Sequence, residues 1–420
     1  MRMRAYTNVN IVIKYILGRD SVALLIKNAR IVDKNKDFQG DIYIRHGKIA
    51  EIDRELNYNC KTIDGEDLVA MPSFIDMHVH FREPGYTHKE DLYTGSMAAL
   101  KGGYTFVNLM GNTKPIASNM KVVDYVLNKS EDLDLIDIHQ TVSITRDFDG
   151  KTLGHLDHLD NRVKFISDDG KGVQSNLIMY NAMIKAKEKN LIIIAHEEDE
   201  EIVNIDTRLS ENIMTFRDIY LANLLGCKLH LAHVSTKESI EEIGKAKAFN
   251  PNISCEICPH HIALYDNDYR VNPPIRERED VKAIIEAIKN GTVDMIATDH
   301  APHSKEDKEK GAPGISGIET AFSISYTTLV KSGEISLNKL SELMSANPAK
   351  LANINKGEIE IGYDGDIVLL DLNKKTTIDG EKFVSKGKNT PFNGMDFYGE
   401  IMATIRRGEI KYNGGIAIDN

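Results

Sequence analysis

Between residues 72 and 350 the chain alternates short β-branched runs with helical patterns. That alternation restricts the fold more than any other feature, because it calls for parallel strands joined by helical crossovers. The runs are Met71 to His80, Thr105 to Met110, Ile136 to Ile144, Arg162 to Ile166, Leu191 to His196, Lys228 to Val234, Ile253 to Cys258 and Val293 to Thr298. Eight runs predict an α/β fold, a closed (β/α)8 TIM barrel of ~250 residues over 71–350. In such a barrel the reactive groups stand at the C-terminal ends of the strands. Polar residues collect there: His78 and His80 after the first run, Asn112 after the second, His196 after the fifth, His233 after the sixth and Asp299 after the eighth.

The flanks follow a different period. Residues 22–70 alternate apolar and polar positions between turn residues such as Gly40-Asp41, Gly47-Lys48 and Asp64-Gly65, and residues 351–420 contain a similar pattern. Neither piece is large enough for a core of its own. One composite β-sandwich built from both termini is therefore expected. Residues 1–20 receive no assignment.

His78 and His80 share one side of a strand, so both can grip one metal ion, and Arg82 continues the same parity. With 14 histidines in 420 residues a chance His-x-His is expected about half a time, so the pair gains its meaning from the other strand ends. A metal beside a fixed cation points to hydrolysis of an anionic substrate. A net charge of −11 argues against nucleic-acid or acidic-membrane partners, which leaves a small-molecule substrate. The four cysteines form no disulfide framework, and no apolar run reaches the ~18 residues of a membrane span, so a cytoplasmic location is expected. Nothing in the sequence pattern specifies an oligomeric state.

His78-Val79-His80-Phe81-Arg82-Glu83-Pro84-Gly85 and Ala297-Thr298-Asp299-His300-Ala301-Pro302-His303 resemble the first-strand and eighth-strand motifs of the amidohydrolase superfamily and, within it, of the dihydroorotases. The resemblance runs from Ile26 to Val368. It implies two Zn2+ ions, the first held by His78 and His80 and the second by His196 and His233. Asp299 would touch the first metal and serve as general acid and base. Arg82, Asn112 and His303 would bind the substrate carboxylate, while Asn272 and the backbone at Gly317 and Ile318 would contact the ring. The implied reaction is the reversible cyclisation of N-carbamoyl-L-aspartate to L-dihydroorotate in pyrimidine biosynthesis, through a zinc-bridged hydroxide. One departure is Gly111, where the family usually has proline before the asparagine, which loosens the turn carrying Asn112.

Two close cations need an anion between them, and relatives supply it either as an aspartate in Asp-Asp-Gly or as a carboxylated lysine. Asp168-Asp169-Gly170 matches the first pattern, and Lys164, inside an apolar run, offers the second. An unpaired ammonium is costly to bury and carboxylation removes that cost, which tips the reading towards Lys164, with Asp169 as the rival. The remaining motifs read as structure: His260 and His261 as structural or supporting histidines, Cys255 and Cys258 as small buried hydrophobes, and 304–310 as a solvated loop at the mouth. Two other functions compete. A dihydropyrimidinase or hydantoinase would have no use for Arg82 and His303, and a non-catalytic scaffold would have lost the metal ligands.

Overall fold

The computed structural model describes residues 23–419. Positions 1–22 and 420, which include the unassigned segment 1–20 and the expected domain edges at 22 and 420, lie outside the described residues. Five strands come first: β1 (Ala23–Val32), β2 (Asp37–Arg45), β3 (Lys48–Asp53), β4 (Lys61–Asp64) and β5 (Val69–Pro72). Eight follow in the central region: β6 (Phe74–Val79), β7 (Tyr104–Leu109), β8 (Asp137–Gln140), β9 (Phe165–Ile166), β10 (Ile192–Ala195), β11 (Lys228–Leu231), β12 (Ile253–Ile257) and β13 (Met295–Ile296). The chain closes with β14 (Ile367–Thr377), β15 (Asp396–Arg406) and β16 (Glu409–Asn413).

Strands from both ends of the chain share one eight-stranded sheet, ordered β16-β15-β14-β5-β1-β2-β3 with β4 beside β1. The junction is β5, parallel to β1 and antiparallel to β14. Alternation explains why the pieces need each other. Leu24, Ile26 and Ile31 from β1 and Ile42 and Ile44 from β2 bury one face against Ile367, Leu369, Ala403 and Ile405. Each large side chain buried this way is worth about 2 kcal/mol, and neither terminus gains it alone.

The central strands overlap the eight expected runs. They form two parallel sheets, β6-β7-β8 and β13-β12-β11-β10-β9. Parallel bridges Val142 to Ile166 and Val79 to His300 join the sheets at both edges. The helices between them begin where a side chain can accept the first free N–H groups. Asp91 caps Leu92–Lys101 with a reciprocal bond from Thr94, and Ser175, Asp206 and Thr236 cap the helices that follow β9, β10 and β11.

The two ends of the central strands differ. At the N-terminal ends lies the helix Asn347–Ala352. Its Asn347 side chain donates to Asp294 O just before β13, and Ala349 and Ala352 pack with Ile75, Met77, Phe106, Phe165 and Ile194. The C-terminal ends carry the polar side chains.

Candidate metal and substrate site

His78, one residue before the end of β6, is fully buried. Its Nδ1 donates to Glu256 Oε1 in β12 (2.7 Å), and the other Glu256 oxygen accepts from His230 Nε2 (3.0 Å). That bond orients the ring and turns His78 Nε2 towards the cavity. Nε2 stands 3.2 Å from Asp169 Oδ1 and 3.7 Å from Asp299 Oδ1, yet it has no hydrogen-bond partner. His80 repeats the arrangement: Nδ1 donates to Asn112 Oδ1 (2.8 Å), while Nε2 lies 3.0 Å from Asp299 Oδ1 and 3.5 Å from Asp169 Oδ2. His196 Nδ1 is 3.2 Å from Asp169 Oδ1 and 3.1 Å from His233 Nε2. Asp169 is thus the hub, within 3.7 Å of all four imidazoles.

Electrostatics show what the hub lacks. Burial alone would raise the Asp169 carboxyl, but the His78 charge and the bonds from His196 and His233 hold it well below the usual range. Asp299 is likewise depressed against its own burial, by His80, His78 and His233. Although burial opposes it, the carboxylates Asp169 and Glu198 push His196 up to about 10. Two buried carboxylates are balanced here by protons on imidazoles. A divalent cation can take the place of those protons, and an orphaned His78 Nε2 beside two carboxylates suits that exchange. Two sets of possible ligand atoms converge, His78 with Asp169 and His233, and His78 with His80 and Asp299.

Beside this cluster lies a cationic corner. Arg82 Nη2 is 3.2 Å from His303 Nε2, and Arg82 Nε donates to Pro302 O (3.3 Å). Burial and the charges of Arg82 and Lys89 lower His303 to about 3, so its imidazole is neutral. Asn112 Nδ2 donates to Asp169 Oδ2 (3.2 Å), so it is already aligned between the corner and the hub. Gly111 does not disorder that turn, because its carbonyl accepts from both Thr113 and Ala117. Asn272 Nδ2 donates to Glu198 Oε2 (2.6 Å) and lies 3.5 Å from His196 Nε2. Gly317 and Ile318 are tied differently: Gly317 O accepts from Thr320 N, and Ile318 N donates to His300 Nδ1 (3.4 Å).

The amidohydrolase family pattern matches residues 69–411. The chain belongs to the amidohydrolase family. This amidohydrolase is 57% identical over 394 residues to the dihydroorotase of Clostridium botulinum, covering 93% of this chain and 99% of the relative. It is 38% identical over 424 residues to the dihydroorotase of Bacillus subtilis, covering 94% and 99%. Among solved structures, the L-hydantoinase (dihydropyrimidinase) from Arthrobacter aurescens is similar with a TM-score of 0.85 at 25% identity, covering 94% of this chain and 97% of that one. The dihydropyrimidinase from Brevibacillus agri NCHU1002, at 23% identity and a TM-score of 0.83 over 93% and 95%, shares the fold.

The amidohydrolase departs from the sequence reading at Lys164. Its Nζ donates to Ala352 O (2.6 Å) and Asn353 O (3.4 Å), capping the helix at the N-terminal ends of the strands. The ammonium is stabilised by helix-terminal carbonyls, and it lies at the opposite end from the histidines. Residues 304–310 also differ from the expected loop, since Ser304 and Asp307 cap a short helix, Lys305–Glu309, and Asp307 pairs with Lys89 (3.3 Å). Sequence reasoning missed Glu256 and Glu198. The first was legible as an acid inside the apolar run Ile253–Ile257, where an unpartnered carboxylate would be costly. The second had no distinctive signal among the acids of 197–201. His260 and His261 are buried with Cys258, and His261 Nε2 donates to Pro273 O (3.1 Å).

Proposed function

We propose that this amidohydrolase is a dihydroorotase, catalysing the reversible cyclisation of N-carbamoyl-L-aspartate to L-dihydroorotate in pyrimidine biosynthesis. The observation that carries the reading is the half-buried Arg82 and His303 pair beside the histidine cluster, in a chain 57% identical to a dihydroorotase. A ring carboxylate beside the scissile amide is what such a pair would select.

In this reading His78, His80 and Asp299 would hold one divalent cation and His196 and His233 another, with Asp169 within reach of all four imidazoles. Bound there, two zinc ions would supply electrophilic activation of the amide carbonyl and of the attacking water. The protein's own groups do the rest. Asp299, kept ionised by the surrounding imidazoles, accepts a proton from the ureido nitrogen in ring closure and returns it to the departing ring nitrogen in hydrolysis. Arg82, neutral His303 and Asn112 fix the carboxylate, so the ring amide faces Asp299. Asn272 and the backbone of Gly317 and Ile318 border the ring, with Ile318 N–H exchanging His300 for substrate.

The same reading takes the eight central strands as a closed (β/α)8 barrel over 71–350, supported by the two bridges that link the sheets. It takes 22–70 and 351–420 as one β-sandwich domain, supported by their shared sheet. The cytoplasm is the proposed location. Four free thiols support it, and no helix among the described residues is long and apolar enough to cross a membrane.

The hydantoinase reading draws on the Arthrobacter aurescens likeness at 25% identity. One preparation assayed on dihydroorotate, dihydrouracil and hydantoin, with metal content measured alongside, separates the two. Turnover confined to dihydroorotate is expected, and comparable turnover of the carboxylate-free rings would overturn the proposal.

A further inference from the structure

The cationic corner is built from two segments that follow β13, 299–304 and 314–318. Ala301 N donates to Ile315 O (2.8 Å) and ties them together, and Arg82 Nε reaches the first of them at Pro302 O (3.3 Å). A third segment presses on both from outside the central strands. It is the connection between β14 and β15, two strands of the eight-stranded sheet. Within it Asn389 is bonded to both segments at once. Its Oδ1 accepts from His303 N (3.1 Å) and from Ser316 Oγ (2.8 Å). Its Nδ2 donates to Ala301 O (3.3 Å) and to Gly314 O (3.0 Å), and its backbone oxygen accepts from Ser316 N (2.8 Å).

A primary amide accepts two bonds at one end and donates two at the other, which is what these four partners require. A carboxylate would set its oxygens against two carbonyls, and an apolar side chain would leave all four groups without this partner. The connection is also held close. A Cβ at Gly387 would stand 2.6 Å from Pro302 Cβ and 2.8 Å from Pro302 Cα, so the chain there rests directly on Pro302. Glu319 accepts from Val384 N (3.0 Å) and Ser385 N (2.9 Å), and Ser385 Oγ donates to Glu90, which anchors the approach to Asn389.

We propose that Asn389 is a positioning residue for substrate binding, setting the spacing between the His303 backbone, whose imidazole meets the substrate carboxylate, and the Ser316–Ile318 backbone, which borders the ring. The inference rests on the dihydroorotase reading for what occupies the site. The chemistry is anchored elsewhere. Thr298 N and Oγ1 donate to Asp76 (3.0 and 2.5 Å), which holds the end of β13, and with it Asp299, without help from Asn389. Loss of the amide therefore weakens the grip on substrate and transition state alike and leaves the proton carrier in place. Such a loss raises KM more than it lowers kcat.

The test is the kinetics of the zinc-loaded full chain carrying Asn389→Ala. KM for dihydroorotate is expected to rise by at least about fivefold, and by more than kcat falls, with zinc content unchanged. A smaller rise in KM overturns the proposal, as does a fall in kcat as large as that rise. Asn393→Ala removes the bond from Gly380 N (2.7 Å) in the same connection and is the control for a merely structural loss. Its melting temperature should fall without a change in KM, and an equal rise in KM there would also overturn the proposal. Hydrogen exchange keeps this failure apart from failure of the function. Without substrate, the amides of His303 and Ser316 should exchange faster in Asn389→Ala, and unchanged exchange overturns the positioning role whatever the natural protein turns over. A natural protein inactive on dihydroorotate would instead refute the function. If Asn389→Ala does not fold, Gly387→Ala, whose methyl group would push on Pro302, takes its place with the same outcomes.

Discussion

Replacing Asp169 with asparagine keeps the shape of the hub and removes its charge. The carboxylate stands 3.2 Å from His78 Nε2 and His196 Nδ1, 3.5 Å from His80 Nε2 and 3.7 Å from His233 Nε2, so a cation held by these nitrogens lies within a few ångströms of it. At that distance a unit charge pair is worth about 4 kcal/mol with an effective dielectric constant of ~20. Losing it loosens the cation by roughly a thousandfold. Asp169→Asn should therefore be purified with little zinc and should release the rest to a chelator that leaves the natural protein loaded. Lys164→Met is the matched control. It loses two bonds to the Ala352 and Asn353 carbonyls, a cost of about 1 kcal/mol read as a small drop in melting temperature, with zinc content unchanged. An Asp169→Asn protein that holds zinc as tightly as the natural one would refute the reasoning. So would a Lys164→Met protein that loses its zinc, or reconstitution that requires carbon dioxide.

Three further outcomes are expected. Arg82→Met removes a charge-assisted pair from the carboxylate, a loss of about 3 kcal/mol, so kcat/KM for dihydroorotate should fall by about two orders of magnitude; a change under about fivefold would argue against the assigned role. Glu256→Gln takes the charged acceptor from His78 and His230 and should weaken zinc binding ~10- to 100-fold in a chelator titration, unchanged affinity counting against it. Burial would raise the Asp137 carboxyl, but Lys356, Arg406 and Arg407 hold it far below its ordinary value. Its stabilising contribution is complete above about pH 4 and is lost as the pH falls towards the depressed value, so the melting temperature of Asp137→Asn should depend less steeply on acid than that of the natural protein; equal slopes would contradict this.

The strand ends were legible because each problem they posed was local. A run of β-branched residues declares a strand, and a histidine at its C-terminal end declares which rim it faces, as His196 and His233 do. Lys164 was misread for a definable reason. Period-two parity tells which side of a strand a residue takes but not which end of a two-residue strand its long side chain follows, and Lys164 precedes Phe165–Ile166 rather than following it. The partner that stabilises its ammonium lies 188 residues away in sequence, where no local pattern can announce it. Glu256 shows the converse case. Its charge inside an apolar strand was visible, but its partners, His78 on β6 and His230 on β11, meet it only in the folded chain. Asn112 stayed in place despite Gly111 because backbone bonds to the Gly111 carbonyl do what a proline ring would have done.

The pairing of β5 with β14 has a consequence for how the molecule is made. The two strands are roughly three hundred residues apart in sequence, so as the chain emerges from the ribosome β1 to β5 wait without their closing neighbour until almost all of it has been synthesised. During that interval the edge of β5 is open, and it is the natural place for a chaperone to hold the nascent chain or for misassembly to begin. The central strands, whose partners are mostly sequential neighbours, can form first and hold β5 ready for β14.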